Sequence, residues 1–269
     1  NNASTTNGAT GSFSTAMGED TRASGEGSIT GGVNTIASAY ASTAMGDNSA
    51  ASGAHSTAMG RSTTASGENS TAMGQSTTAS GFSSTAMGGN TTASGNRSTA
   101  IGGDGTIASG EFSLATGQST SASGFSSTAM GRYTTASGDF GSFAAGSQTT
   151  ASANAAIAMG SGGTASGLAS VALGGSVSAT NEYAIALGSG GTTASGHSSF
   201  AVGSNAIALG NVSRSMGYNT TAESRSETVI GEFNTNYTPL GGVQNWNAAD
   251  RLFVIGNGTG SSAKSDALV

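Results

Sequence analysis

The stretch Ser56-Thr57-Ala58-Met59-Gly60, followed after two residues by Thr63-Thr64-Ala65-Ser66-Gly67, returns nearly verbatim from Ser70 to Gly81 and from Ser84 to Gly95. Such a fixed 14-residue period leaves a chain few options: near-identical units must stack, each burying its neighbours' faces. The glycine that ends the first half-repeat marks the phase from Gly18 through Gly60 and Gly74 to Gly203. Three steps are fifteen residues long, ending at Gly117, Gly146 and Gly203, and extra residues of this kind belong in turns.

The second half-repeat ends in Gly25, Gly53, Gly67 and their successors, with Ala39, Ala153 and Asn181 in the same place in three coils. Glycine and asparagine accept a left-handed backbone, so turn geometry is the expected reason for these positions, and the two alanine turns are expected to differ.

Each half is about five residues, the length of a strand. Alternation puts Ser56, Ala58 and Gly60 on one face of the first half, with Thr57 and Met59 opposite. It puts Thr63, Ala65 and Gly67 on one face of the second, with Thr64 and Ser66 opposite. Two faces of very small side chains meeting across a narrow interior describe an all-β, flattened solenoid of about sixteen coils. So little apolar interior scarcely offsets the ordering of 45 glycines, so the large outward residues are expected to be covered by another chain.

Those outward residues form a ladder of Met17, Met45, Met59, Met73, Met87, Ile101, Met130, Met159, Leu173, Leu187, Val202 and Leu209. A parallel row begins as Thr15, Thr43, Thr57, Thr71 and Thr85 and turns apolar at Phe143, Ile157, Val171, Ile185, Phe200 and Ile207. A continuous apolar stripe marks an interface, and self-association is the expectation, tightening toward the C-terminus. The opposite face carries Thr64 and Ser66, Thr78 and Ser80, Thr92 and Ser94, and Thr135 and Ser137, a regular uncharged surface expected to meet solvent or a binding partner.

Gly203, Gly210 and Gly217 fall seven apart, which reads as a break in the period. Beyond Gly231 the repeat stops and the only proline, Pro239, and the only tryptophan, Trp246, appear. Residues 1–231 are therefore expected to form the roll, and residues 232–269 a cap or a junction to a further segment.

A formal charge of −6, with basic residues scattered singly, argues against a nucleic-acid surface. The absence of cysteine removes disulfides, thiol nucleophiles and cysteine metal sites, and no apolar run reaches the ~20 residues that span a bilayer. Asn1 begins no signal peptide, so the chain reads as a mature fragment whose export signal and anchor lie outside it. His55 and His197 sit in turns with no carboxylate at fixed spacing and read as solvated turn residues. Gly102-Gly103-Asp104-Gly105-Thr106 resembles a calcium-binding nonapeptide but occurs once, and reads as a turn insertion. No polar constellation survives the test of spacing, so no enzyme, cofactor or metal site is expected. Phe82, Phe112, Phe125, Tyr133, Phe140 and Tyr183 lie at or beside turns, where rings meet a protein or glycan partner or pack at corners between protomers.

Ser170-Val171-Ala172-Leu173-Gly174, Tyr183-Ala184-Ile185-Ala186-Leu187-Gly188 and Asn205-Ala206-Ile207-Ala208-Leu209-Gly210 resemble the head repeat of trimeric autotransporter adhesins, the YadA-like head, from about Thr15 to Gly231. The resemblance implies a left-handed parallel β-roll, three copies associating with the apolar ladder inward. It implies the distal, non-enzymatic part of an extracellular fibre, anchored in the outer membrane by regions absent here, that attaches to matrix or cells through an unknown protein or glycan receptor. Residues 247–259 are similar to segments of bacterial and phage tail-fibre-like proteins, which makes a tail fibre an alternative. The regular Thr and Ser rows make an ice-binding solenoid another.

Overall fold

The structure, a computed structural model, describes residues 7–269. Among these residues every regular element is a strand. The chain divides into two compact units, one ending at Tyr133 and one beginning at Thr134.

In the first unit the sequence halves become strands of unequal length. The first half forms five-residue strands such as Thr57–Arg61, and the second forms two-residue strands such as Thr64–Ala65. Each pairs in parallel with its counterpart one coil away and in exact register: Thr57 with Thr71, Met59 with Met73, Thr64 with Thr78. The second strand is short because of its exit. Ser66 N donates to Ala79 O at 2.9 Å, and Gly67 N donates to the same carbonyl at 3.3 Å, so one acceptor serves two amides and the ladder ends there.

Ala58, Ala65, Ser56 and Thr63 are all fully buried, which fixes the inward faces as the alternation predicts. The interior has no room for more. At Gly60, which has φ of 131°, an added Cβ would stand 2.0 Å from Gly74 O of the next coil.

The glycines of the second half have a different role from the one expected. Gly67 has no left-handed φ, and its Cβ would meet Gly81 O at 2.0 Å, so close approach of the next coil selects glycine there. The left-handed corners fall instead on residues such as Ser62 (φ 55°) and His55 (φ 56°). The Ala39, Ala153 and Asn181 turns do differ, and the doubled hydrogen bond is what they lose. Ala39 N donates to Ser42 Oγ at 3.2 Å, and at Ala153 the Ala165 carbonyl takes Ser152 N alone at 3.0 Å. Asn181 uses its own side chain, accepting Glu182 N at 2.8 Å and donating to Ser195 O at 3.0 Å.

The second unit repeats this construction with a larger outward row: Phe143, Ile157, Val171, Ile185 and Phe200 stand in register. Its period does not break at Gly203. Phe200 pairs with Arg214 and Val202 with Met216, whereas Ile207 pairs with Thr193 and Thr221 in the sheet of two-residue strands. Leu209 N donates to Ala222 O at 2.9 Å, as Ser195 N does to Ala208 O. Ile207 and Leu209 therefore lie on the face of Thr64 and Ser66, not on the methionine face. Seven residues is half a coil, so glycine spacing cannot tell the two halves apart.

After Thr228–Glu232 the chain makes an excursion and returns as Phe253–Asn257, in parallel register, Thr228 with Phe253 and Ile230 with Ile255. Asp266–Leu268 then pairs antiparallel with that strand. The sheet of short strands ends at Thr221–Ala222, and side chains substitute for the missing next coil. Buried Asn234 accepts Thr221 N at 2.8 Å and donates to Thr221 O at 3.0 Å. Glu227 Oε2 accepts Glu223 N at 2.6 Å and Ser224 N at 2.9 Å. An open strand edge would otherwise expose these groups to another chain.

Two outcomes follow for melting and exchange experiments. Gly60→Ala is expected to cost roughly 1–3 kcal/mol from backbone strain alone, while Ser62→Gly, at a left-handed corner, leaves the melting temperature nearly unchanged; equal effects would refute this account of the glycines. Asn234→Ala strands two buried backbone groups, and amide exchange at Thr221 is expected to accelerate in that variant while exchange at Ala58 stays as in the parent.

Candidate functional site

A solenoid offers surfaces rather than a cleft, and the register assigns each outward row to one of them. In the first unit Met17, Met45, Met59, Met73, Met87, Ile101 and Met130 share one face with the row through Thr57, Thr71 and Thr85. Gly31 and Thr116 interrupt the methionine row. Met17 is 55% exposed and Ile101 42%. In the second unit the face carries Phe143, Ile157, Met159, Val171, Leu173, Ile185, Leu187, Phe200 and Val202, and it continues through Met216, Ile230 and Ile255. The expected ladder lacks these last three because the period reads as broken at Gly203 and as ended at Gly231, although Val254-Ile255-Gly256 keeps the small, large, glycine order of Ala172-Leu173-Gly174.

On the opposite face Thr64, Thr78 and Thr92 are half-buried while Ser66, Ser80 and Ser94 are exposed. Arg22, Ile36, Ala50 and Ile107 occupy the threonine row in other coils of that unit. Thr135 and Ser137 hold the corresponding positions in the second unit.

Many of the aromatic residues lie in the turn that leads back to the five-residue strand. Tyr40 meets His55 edge-on at 5.2 Å and Phe112 meets Phe125 at 5.6 Å. Arg97 lies 5.7 Å from the Phe82 ring and 5.2 Å from the Phe112 ring, with Glu111 at 3.7 Å. Tyr133 occupies the other turn, beside Arg132 at 4.9 Å, and Phe140 is 71% exposed. These rings pack on neighbours within their own chain.

His197 has a carboxylate that spacing did not reveal: Glu182, one fifteen-residue coil earlier, approaches Nε2 to 3.7 Å, while Ser198 Oγ lies 3.1 Å from Nδ1 and Tyr183 meets the ring edge-on at 5.8 Å. Serine, histidine and glutamate stand in line, but the amides of Ser198 and Ser199 are both bonded to turn carbonyls, so neither is available to an oxyanion. Asp104 sits in a turn, its carboxylate accepting Gln118 Nε2 at 2.9 Å. Among the described residues no group of three or more His, Cys, Asp or Glu side chains is placed to hold a metal, and no helix is long and apolar enough to cross a membrane.

Glu227 caps the end of the sheet of short strands with one carboxylate oxygen. Its second oxygen lies 3.8 Å from Arg251 Nε. Arg251 in turn holds the excursion, donating to Asp266 at 3.1 Å and to Thr235 O at 2.9 Å, and stacking on Tyr237 at 3.8 Å. Burial raises the Glu227 pKa above the ordinary carboxylate value, outweighing the amides of Ser224 and Glu223 and the Arg251 charge. Its position in a sheet terminus accounts for that shift.

The family model for the YadA head domain repeat, in two copies, matches residues 9–29, 51–77, 79–104, 122–144, 165–190 and 191–213. These segments cover more than half of the chain. The molecule is thus a repeat-built adhesin head of the β-solenoid type, and the chain belongs to the YadA head family of trimeric autotransporter adhesins, a surface-exposed structural adhesin family whose heads form homotrimers. No curated protein matches it.

Because the folded pKa of Glu227 lies above the unfolded one, its contribution to cap stability is fully present below the ordinary carboxylate value and is lost as pH rises through the raised one. Protection of residues 233–252 against proteolysis is expected to fall across that rise in the parent and to vary less in Glu227→Gln. The same pH dependence in both would remove Glu227 as its source.

Proposed function

We propose that this chain is the adhesive head of an extracellular homotrimeric fibre, with the methionine face of each unit as the seam between protomers. The observation that carries this reading is the in-register apolar row of each unit, single in the first and doubled in the second, half-exposed on a chain whose interior is mostly alanine, serine and threonine. Exposed apolar surface of this continuity is costly in a lone chain and is characteristic of association. The rotational symmetry of homo-oligomers brings one face of each copy to a common axis. The seam residues are the methionine-face positions named above, with Met216, Ile230 and Ile255 in place of Ile207 and Leu209.

Attachment then falls to the outward surfaces. Thr64, Ser66, Thr78, Ser80, Thr92, Ser94, Thr135 and Ser137 form an uncharged ladder, and the aromatic turns flank it. Residues 232–269 act as the cap of the roll and its junction to the remainder of the fibre. A receptor of protein or glycan chemistry, contacted across many coils through shallow contacts, suits such surfaces better than a substrate does. The chain carries no role in nucleic-acid binding, and its contact with the membrane is indirect, through other parts of the fibre.

The mass of the purified chain in solution tests the seam, a trimer being expected and a stable folded monomer ruling it out. Met59→Asp, which sets a charge in an apolar contact without touching the interior, is expected to shift the population toward monomer. Normal trimers of that variant would show that Met59 lies outside the seam.

A further inference from the structure

The turn that follows the five-residue strand stacks Gly191, Asn205, Asn219 and Phe233 in one column. Their amides donate in series to Ser176 O at 3.0 Å, Ser189 O at 3.1 Å, Ser204 O at 2.9 Å and Tyr218 O at 3.1 Å. Two residues further on, Ile207 and Thr221 stand side by side on the outer face. Residues 258–265 fold back over the last of these coils: Gly258 N donates to Glu232 O at 3.1 Å, Ser265 N to Phe233 O at 3.1 Å, and Gly260 bridges Ala263. This hairpin sets Ser261 and Lys264 beside the column.

The result is an open cleft of about 300 Å³ lined by Gly191, Asn205, Ile207, Asn219, Thr221, Phe233, Ser261 and Lys264. Both of its ends are special. At Gly191 an added Cβ would have only Asn205 Oδ1 within 4 Å, at 3.5 Å, so the missing side chain leaves open floor. At the other end stands the hairpin.

Its chemistry is specific. Two carboxamides one coil apart offer paired donors and acceptors, Ile207 and the Phe233 ring offer an apolar wall, and Lys264 supplies a positive charge. The Lys264 ammonium donates to a neutral partner, Asn236 Oδ1, and no carboxylate lines the cleft. Lys264 is the only lysine of a chain whose net charge is −6, and it stands where adjacent hydroxyls and an apolar ring face would be met together. Vicinal hydroxyls on a saturated ring that presents an apolar C–H face, with a carboxylate attached, describe a pyranose acid.

We propose that this cleft is a subsite for an acidic sugar, with Lys264 taking the carboxylate, Asn205 and Asn219 the ring hydroxyls, and Phe233 with Ile207 the apolar face of the pyranose. Its use in attachment rests on the adhesive reading above, but binding of free sugar does not. The two fail separately, since failure of adhesion would appear as wild-type trimers that do not attach to any cell or matrix.

The test uses the whole chain with methyl β-glucuronide and methyl β-glucoside, which differ at the carboxylate. Because the chain has one lysine, acylation of Lys264 followed by peptide mass mapping reports occupancy directly. Millimolar glucuronide is expected to slow that acylation and to shift the side-chain amide resonances of Asn205 and Asn219, with the glucoside binding about tenfold more weakly, the size of one charge-assisted hydrogen bond. In Lys264→Gln, read by the amide resonances alone, the two sugars are expected to bind equally while the melting temperature stays unchanged. Absence of any glucuronide effect, equal binding of the two sugars to the parent, equal protection by acetate, or protection by an acidic peptide without protection by glucuronide would each overturn the proposal.

Discussion

Everything in this fold depends on one constraint: the strand amides of a coil donate to the coils beside it in register, so each strand residue stacks on its own equivalent. Thr57 lies on Thr71 and Met59 on Met73, and a side chain that fits once must fit at every level. That condition keeps the interior to small side chains, alanine, serine, threonine and glycine, with valine only at such places as Val177, Val229 and Val254. At Gly60 and Gly67 the next coil's carbonyl leaves no space even for a methyl group. An interior so small buries little apolar area, and the stabilisation that a thicker core would provide must come from the ladder itself and from an outward face.

That same periodicity made most of the molecule readable from the sequence. The period fixed coil length, alternation fixed which residues face inward, and fully buried Ala58, Ala65, Ser56 and Thr63 follow from those two facts. What was not readable has a physical cause in each case. A half-coil of seven residues has the same glycine spacing whichever half it is, so Ile207 and Leu209 fell on the wrong face until pairing with Thr221 and Ala222 placed them. Glycine has two uses, a left-handed φ and the absence of Cβ, and residue identity does not separate them. Gly67 is needed for the second, while Ser62 and His55 take the left-handed corners that glycine was expected to fill. The run from Arg251 to Gly256 reads as a strand in the sequence, but its place as a rung of the roll does not, because its coil is interrupted by an excursion and the rung is in register in space but out of phase in sequence.

The candidate sites divide along the same line. Rows of outward residues were legible because a row is periodic, and the methionine face emerged nearly complete. Contacts that bring different kinds of residue together were not. Glu182 and His197 are fifteen residues apart, the length of a coil with one insertion, and nothing in either local sequence announces the pair. Asn234 and Glu227 look like ordinary polar residues in sequence, yet both lie buried and complete the hydrogen bonds of a sheet that has run out of coils.

The ends of a repeat are therefore where its chemistry becomes individual. Inside the stack, any group placed at one position is placed next to itself, so charges would stand opposite like charges about 4.8 Å away and a mixed constellation has little chance to form. Where the stack stops, backbone groups lose their partners and must be met by side chains. A chain segment is then free to fold across several coils at once. Glu227, Arg251 and Asp266 meet in this way, and so do Asn219, Phe233 and Lys264. The first cluster closes the ladder against further pairing. The second sets a cation and amides against an apolar wall, a combination that the in-register stacking of identical coils does not generate.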